Sequence, residues 1–182
     1  HASHAELFTF DISNSGSLAL LSSLDQSVDV RGIGISGSGV YVARADTALE
    51  MQRTLMSSTG SLSIPSSSDF NLTTGNEAYS LAISGTSALL GLQKGSSIQE
   101  LVLLDVRSGP GSPPPAPGPW NHEGSGTLLG LDFDASRCYG FLAADSSIKA
   151  VQVVQLNDLI ERRSCLIVNF ADRANGLPSE IK

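Results

Sequence analysis

SLAISGTSALLGLQKGSSIQELVLLD runs from Ser80 to Asp105, and the same layout returns as GLDFDASRCYGFLAADSSIKAVQVVQ from Gly130 to Gln155. A third version, GIGISGSGVYVARADTALEMQRTL, begins at Gly32, so the three starts lie 48 and 50 residues apart. Each version has an alternating apolar stretch, a short polar turn, a second apolar stretch and, after a polar break, a third. Alternation with a period of two, joined by hairpin-sized turns, predicts antiparallel strands.

Shorter apolar stretches between these versions supply a fourth strand for a repeating unit. They lie at residues 17–24, 61–68 and 165–170. Four strands in each unit of this length are typical of β-propeller blades, which stack around an axis because one blade cannot bury both faces of its sheet alone. The sequence therefore predicts an all-β chain that forms a β-propeller of about four blades, either incomplete or a fragment of a larger ring.

A single propeller domain, residues 1–182, is the predicted organisation. It consists of an outer strand at 5–13, repeats at about 15–56, 60–107 and 120–156, a partial last blade at 157–182 and a Pro-rich inter-blade loop at 108–126. One stretch departs from the strand pattern. LNDLIERR, residues 156–163, has apolar spacing and charge that favour one or two turns of helix.

Four segments, ELFTFDISN, ISGSGVYVA, LAISGTSALLGLQ and ELVLLDV, resemble the repeats of the LVIVD-repeat β-propellers. The resemblance covers about residues 5–156 and implies the propeller fold. It also implies a secreted or cell-surface protein, since similar repeats occur in bacterial and archaeal proteins of that kind, including some prepilin-like surface proteins of uncultivated bacteria. EMQRTLMSS lacks the Asp of the repeat, and no Pro follows DISNSGS. The resemblance implies no catalytic residues.

The composition argues against several classes of partner. The formal net charge is −7, and the 11 Lys and Arg residues form no basic cluster, so neither nucleic acid nor an anionic membrane surface is an expected partner. No apolar run reaches the roughly 18 residues of a membrane-spanning helix. Ser, Thr, Asn and Gly supply the polarity, with only 16% charged residues. This surface chemistry is typical of secreted all-β proteins, and we expect an extracellular or cell-surface location.

The Pro-rich loop carries the candidate binding residues. Six of the eight prolines lie between Pro110 and Pro119, and Trp120, Asn121 and His122 follow directly. A stiff, extended loop that presents an aromatic ring with polar neighbours suits a protein partner or a sugar ring. The alternative is a solvated linker whose Trp120 folds back onto the edge of a blade.

The remaining candidates are two cysteines and the aspartates near the turns. Cys138 and Cys165 lie 27 residues apart without metal-ligand spacing, and they form either a disulfide or two buried free thiols. Asp46 and Asp145 lie near equivalent turns, and Asp11 and Asp105 end equivalent outer strands. This recurrence predicts that their carboxylates cap turns. No metal or other cofactor is expected.

These observations favour a non-catalytic extracellular module that binds a ligand or acts as an adhesive or structural part. Its partners are expected to be another surface protein or a glycan, with self-association through open strand edges. One alternative is a subunit, or the globular part, of a pilin-like surface filament. A propeller-fold hydrolase has the least support, because Ser, His and Asp show no catalytic spacing.

Overall fold

The computed structural model of the protein describes residues 4–13, 16–66, 68–72, 75–93, 101–106, 127–134, 139–144, 151–158 and 165–168. Within these ranges the chain is all-β, as predicted, and contains no helix. The strands are β1 (Leu7–Asp11), β2 (Ala19–Leu24), β3 (Val30–Ser36), β4 (Gly39–Arg44), β5 (Met51–Met56), β6 (Leu62–Ser63), β7 (Asp69–Phe70), β8 (Ala78–Ser84), β9 (Ser87–Leu92), β10 (Leu101–Asp105), β11 (Leu128–Asp134), β12 (Tyr139–Ala144), β13 (Val151–Asp158) and β14 (Cys165–Val168).

The strands form four small antiparallel sheets, numbered here in chain order. Sheet I pairs β1 with β2, and sheet II has the order β3-β4-β5-β6, with β7 also paired to β5. Sheet III has the order β8-β9-β10, and sheet IV has the order β11-β12-β13-β14. The stretches predicted as fourth strands, at 17–24, 61–68 and 165–170, thus contain β2, β6 and β14.

Two hairpins turn where the sequence predicts. Ser36 pairs with Gly39 and Ser84 with Ser87, so each turn has two central residues, of which the first is Gly37 or Gly85. These glycines have φ values of 58° and 60°, in the left-handed region that a residue without a Cβ adopts freely. A glycine with positive φ at the first central position is the signature of the type II′ hairpin turn.

The apolar core lies between stacked sheets. Leu7 of sheet I packs with Val40 and Val42 of sheet II. The opposite face of sheet II, which includes Tyr41 and Ala43, packs against Leu90 and other residues of sheet III. Neighbouring residues of β4 therefore point into two different cores, and all six residues of that strand are buried. The first strands of the sheets lie side by side, with β8 next to both β3 and β11.

One local prediction is wrong. Leu156, Asn157 and Asp158, expected to begin a helix, continue strand β13 and pair with β14, where Asp158 lies opposite Cys165. Eight residues with a helical pattern are too few to form a stable helix alone, whereas β14 offers a ladder of backbone hydrogen bonds. The remainder of that stretch, residues 159–163, lies outside the described ranges.

Of the four aspartates predicted to cap turns, Asp11 and Asp46 do so. Asp145 and the side chain of Asp105 lie outside the described part of the chain. The Asp11 carboxylate accepts a hydrogen bond from the backbone N–H of Ser13 at 2.7 Å. Asp46 accepts two, from Ala48 N–H at 2.8 Å and from Leu49 N–H at 3.3 Å. These bonds satisfy backbone donors that the sheets leave unpaired where the chain reverses.

Candidate functional site

The binding residues predicted from the sequence fall outside the described part of the chain. The structure does not describe Trp120, Asn121 or His122, nor any other residue of the Pro-rich loop at 108–126. Of the two cysteines, Cys138 also lies outside the described ranges, while Cys165 is the first residue of β14. The site described next comes instead from a feature of the first strands.

Each of sheets II, III and IV carries a β-bulge between its first and second strands. The register shifts fall at Val30/Gly32, Ala78/Ser80 and Leu128/Gly130. One residue at each shift therefore has no partner opposite: Arg31, Tyr79 and Leu129. A bulge of this kind re-aims the side chain of the extra residue and is common beside functional sites. Because β3, β8 and β11 are neighbours, these three residues occupy equivalent positions on adjacent strands. We call them the bulge row.

Two members of the bulge row interact directly, together with Glu77. The guanidinium carbon of Arg31 lies 3.7 Å from the centroid of the Tyr79 ring. Its Nη1 atom lies 2.7 Å from Oε2 of Glu77. The two charged side chains are 25% and 28% exposed, so the pair is accessible to solvent yet held on two sides. A cation over an aromatic face at such a site contributes about 0.5–1 kcal/mol.

The bulge row combines side-chain types that suit contact with a ligand. An ion pair joins the Arg31 guanidinium to the Glu77 carboxylate, and the guanidinium has further N–H donors. What remains for a ligand is a fixed planar cation, an aromatic ring and the exposed side chain of Leu129. Arg and Tyr are among the residue types that most often dominate binding energies at interfaces.

A second polar group, around Arg44, is buried and has a structural role. Arg44 Nη2 donates to the backbone oxygen of Gln26 at 3.2 Å, and Nη1 lies 4.0 Å from Oδ1 of Asp69. The same Asp69 oxygen accepts a hydrogen bond from Nε2 of Gln52 at 2.6 Å. These contacts fasten the β2–β3 connection to β4, β5 and β7. Arg44 Nε, Gln26 Oε1 and Gln52 Oε1 have no hydrogen-bond partner among the described residues. Ordered water is the usual way in which such buried atoms are satisfied.

Two further searches concern only the described residues. They contain no group of three or more His, Cys, Asp or Glu side chains placed to hold a metal ion. No helix among the residues that the structure describes is long and apolar enough to cross a lipid bilayer.

The sequence does not mark the bulge row, although its three residues hold the same place in the repeat. Arg31, Tyr79 and Leu129 each stand one residue before the points at which the three versions were aligned. Their side chains have nothing in common, so neither alternation nor composition marks them. The shared property is the extra residue in the ladder, and only strand pairing reveals it.

Comparisons with known proteins give no family for this chain. No protein-family model matches the sequence, and no curated protein is similar to it. The crystal structure of a computationally designed protein, Ika8, is similar with 16% identity and a TM-score of 0.36, over 76% of this chain and 49% of Ika8. A second computationally designed protein, Ika4, has 15% identity and a TM-score of 0.35, over 74% of this chain and 96% of Ika4. The chain thus spans about half the length of Ika8.

Proposed function

We propose that the chain is a β-propeller unit with LVIVD-like repeats that acts as a non-catalytic binding module outside the cell. Three features support the propeller arrangement. Sheets II and III share the same two-residue turn, and sheets II, III and IV share the same bulge. The first strands of these sheets are neighbours. Strand β4 of sheet II also has both of its faces buried, as a central strand of a blade between two other blades does.

The bulge row is the observation that carries the binding function. The stacked Arg31 and Tyr79 side chains are ordered by each other and by Glu77 before any ligand arrives. Binding then costs little side-chain entropy, which is the main advantage of a preorganised surface. The ring of Tyr79 suits the apolar face of a sugar, and the guanidinium suits a carboxylate or a backbone carbonyl. A glycan or another surface protein is therefore the proposed partner.

The location outside the cell is part of the same proposal. It is supported by the low charged fraction of 16% and by the Ser- and Gly-rich surface. The resemblance of the repeats to those of secreted and surface proteins supports it further.

A glycan array probed with the purified protein tests the binding function. We expect selective binding that Tyr79→Ala reduces at least about tenfold, equivalent to roughly 1.4 kcal/mol. Ile64→Ala is the matched control, because Ile64 is also a partly exposed surface residue but lies outside the bulge row. Binding that Tyr79→Ala leaves unchanged contradicts the assignment of the bulge row. Failure to bind any glycan contradicts the glycan form of the proposal.

A filament subunit is the second candidate, favoured by one observation. Phe8 and Phe10 are each 47% exposed on the same face of β1, with their ring centroids 6.4 Å apart. Exposed aromatic side chains on an edge strand favour contact with another molecule. Light scattering over a concentration series tests this candidate. A strictly monomeric protein at the highest concentration argues against it.

A further inference from the structure

Glu77 is held in a fixed position beside the bulge row. It stands directly before β8, and its backbone oxygen accepts a hydrogen bond from the N–H of Gln93 at 2.7 Å. This bond extends the ladder between β8 and β9 by one step beyond the pair Ala78 and Leu92. Two residues after Glu77 comes Tyr79, the bulged residue of sheet III. The Glu77 carboxylate is therefore attached to a stretch of backbone that the sheet holds in place.

Arg31 reaches Glu77 from the neighbouring sheet, and the separation of the two strands is fixed. A Cβ atom on Gly32, the residue after Arg31, would lie 2.8 Å from the backbone nitrogen of Leu81. Strand β3 thus lies against β8 at a distance that only a residue without a side chain permits. The backbones that carry Arg31 and Glu77 therefore keep a constant separation, and the stacking of Arg31 on Tyr79 depends on it.

The contact between Arg31 and Glu77 is ionic. Nη1 of Arg31 is buried, and among the described residues it has no acceptor aligned for a hydrogen bond, although Oε2 of Glu77 lies 2.7 Å away. Because Nη1 is not accessible to solvent, a ligand cannot take the place of Glu77 at that atom. Replacement of Glu77 by glutamine, in turn, removes a charge without breaking an aligned hydrogen bond to Nη1.

A ligand at the bulge row meets both charges of this ion pair, since the side chains of Arg31 and Glu77 are 25% and 28% exposed. The guanidinium would attract a ligand carboxylate and Glu77 would repel it over similar distances, so the two interactions largely cancel. The cost of taking that carboxylate out of water then has no compensation. A hydroxyl or carbonyl oxygen does not experience this repulsion and can accept a hydrogen bond from the guanidinium. The exposed apolar side chain of Leu129 adds an uncharged surface to the same row.

We propose that Glu77 is a specificity-determining residue that restricts the bulge row to neutral glycans and excludes glycans that present a carboxylate. This inference rests on the binding function proposed above and narrows it to one class of ligand. Arg31 alone would suit an acidic sugar as well as a neutral one, and the fixed charge of Glu77 separates the two. A repulsive charge is a common means by which a binding site distinguishes ligands of the same shape.

Acetate and acetamide are the first pair of probes, because they have the same shape and differ in charge. NMR signals of the Arg31 side-chain N–H groups and of the Tyr79 ring follow their binding at constant ionic strength. Acetate is expected to bind Glu77→Gln saturably and at least about tenfold more tightly than it binds the unchanged protein. The shifts that acetamide causes are expected to be the same in both proteins, because it carries no charge for Glu77 to repel.

Neutral glycans and their uronic acid counterparts, with the same linkages, are the second pair of probes. On an array, the unchanged protein is expected to prefer the neutral forms at least about tenfold, and Glu77→Gln is expected to abolish or reverse that preference. Asp11→Asn is the matched control. It also removes one negative charge from the net −7, but it lies on β1, and its amide oxygen can still accept the hydrogen bond from Ser13 N–H. This variant is expected to keep the preference for neutral forms.

Equal affinity of acetate for Glu77→Gln and for the unchanged protein overturns the role of Glu77, and so does an absence of acetate binding to both. A preference of the unchanged protein for acidic glycans, or a preference that Glu77→Gln leaves as it was, has the same meaning. An equal change in Asp11→Asn assigns the selectivity to the net charge and also overturns the role of Glu77. If acetate binds only Glu77→Gln but no glycan binds either protein, charge selection by Glu77 stands and the proposed glycan-binding function fails.

Discussion

Replacing Gly32 by alanine places a methyl group against the backbone of the neighbouring sheet. Its nearest atom would be Leu81 N at 2.8 Å, which cannot rotate away as a side chain can. Forcing a methyl group into such a contact costs about 1–3 kcal/mol. Removing a glycine from a strand interior returns about 0.5–1 kcal/mol of chain entropy. The expected net loss in the free energy of unfolding is therefore about 1–2 kcal/mol.

Gly130 provides the matched control, because it follows the bulge of sheet IV as Gly32 follows that of sheet II. Among the described residues, a Cβ atom on Gly130 would meet only Cβ of Ala143, at 3.4 Å, which is an ordinary contact. Gly130→Ala is therefore expected to keep the entropic gain and to stabilise the protein by up to about 1 kcal/mol. The two alanine variants should shift stability in opposite directions.

Urea unfolding followed by circular dichroism measures both variants. With a slope near 2 kcal/mol per molar, Gly32→Ala should lower the midpoint by roughly 0.5–1 M at unchanged slope. Double-mutant cycles show whether the added methyl group clashes with a side chain or with the backbone. Ile83→Ala should relieve most of the cost of Gly34→Ala, whose nearest contacts are side-chain atoms. Leu81→Ala should not relieve Gly32→Ala. Equal midpoints for Gly32→Ala and Gly130→Ala would refute the close approach of β3 to β8.

Three further predictions concern single sites. The methyl group added by Gly37→Ala would meet no atom of the described residues, but the position requires a positive φ. Thermal unfolding should therefore show a loss of about 1–2 kcal/mol from backbone strain alone. Burial raises the pKa of the Tyr41 hydroxyl, which donates to Val106 O, despite the opposing charge of Arg53. The stability that the protonated Tyr41 hydroxyl contributes is present below the ordinary tyrosine pKa of about 10 and is lost as the pH rises through the raised pKa. Tyr41→Phe should therefore flatten the alkaline limb of a curve of unfolding free energy against pH. The backbone N–H and the hydroxyl of Ser13 hold the pKa of Asp11 below its ordinary value. The stability that the Asp11 carboxylate contributes is therefore lost as the pH falls through the lowered pKa. Ser13→Ala should raise that pKa part of the way back, as measured by a carbon NMR titration of the carboxyl group.

The strands and turns could be predicted from the sequence because their causes are local. Alternation of apolar and polar residues marks a half-buried strand, and Gly37 or Gly85 marks a reversal that other residues resist. Asp11 and Asp46 cap turns through bonds to residues two or three positions ahead. Interactions this short need no knowledge of the fold.

The bulge row and the end of β13 depend on contacts between distant residues. The stacking of Arg31 on Tyr79 joins residues 48 positions apart and exists only because two sheets lie side by side. Leu156 has a helical environment in sequence but a strand partner in space, Ile167. Local propensity decides such cases only when no ladder competes with it. Partners that the chain brings together by folding were therefore outside the reach of sequence analysis.

The contact between β3 and β8 has a consequence for how the gene can change. Sheet II meets sheet III through two glycines on β3 and through Leu81 and Ile83 on β8. A further unit of the same type, inserted between sheets II and III, would form the β3–β8 type of contact with each of its two neighbours. Duplication or loss of a whole unit then creates no new kind of interface, whereas a change of half a unit leaves a strand edge without a partner. The length of such a chain evolves most readily in steps of 48–50 residues.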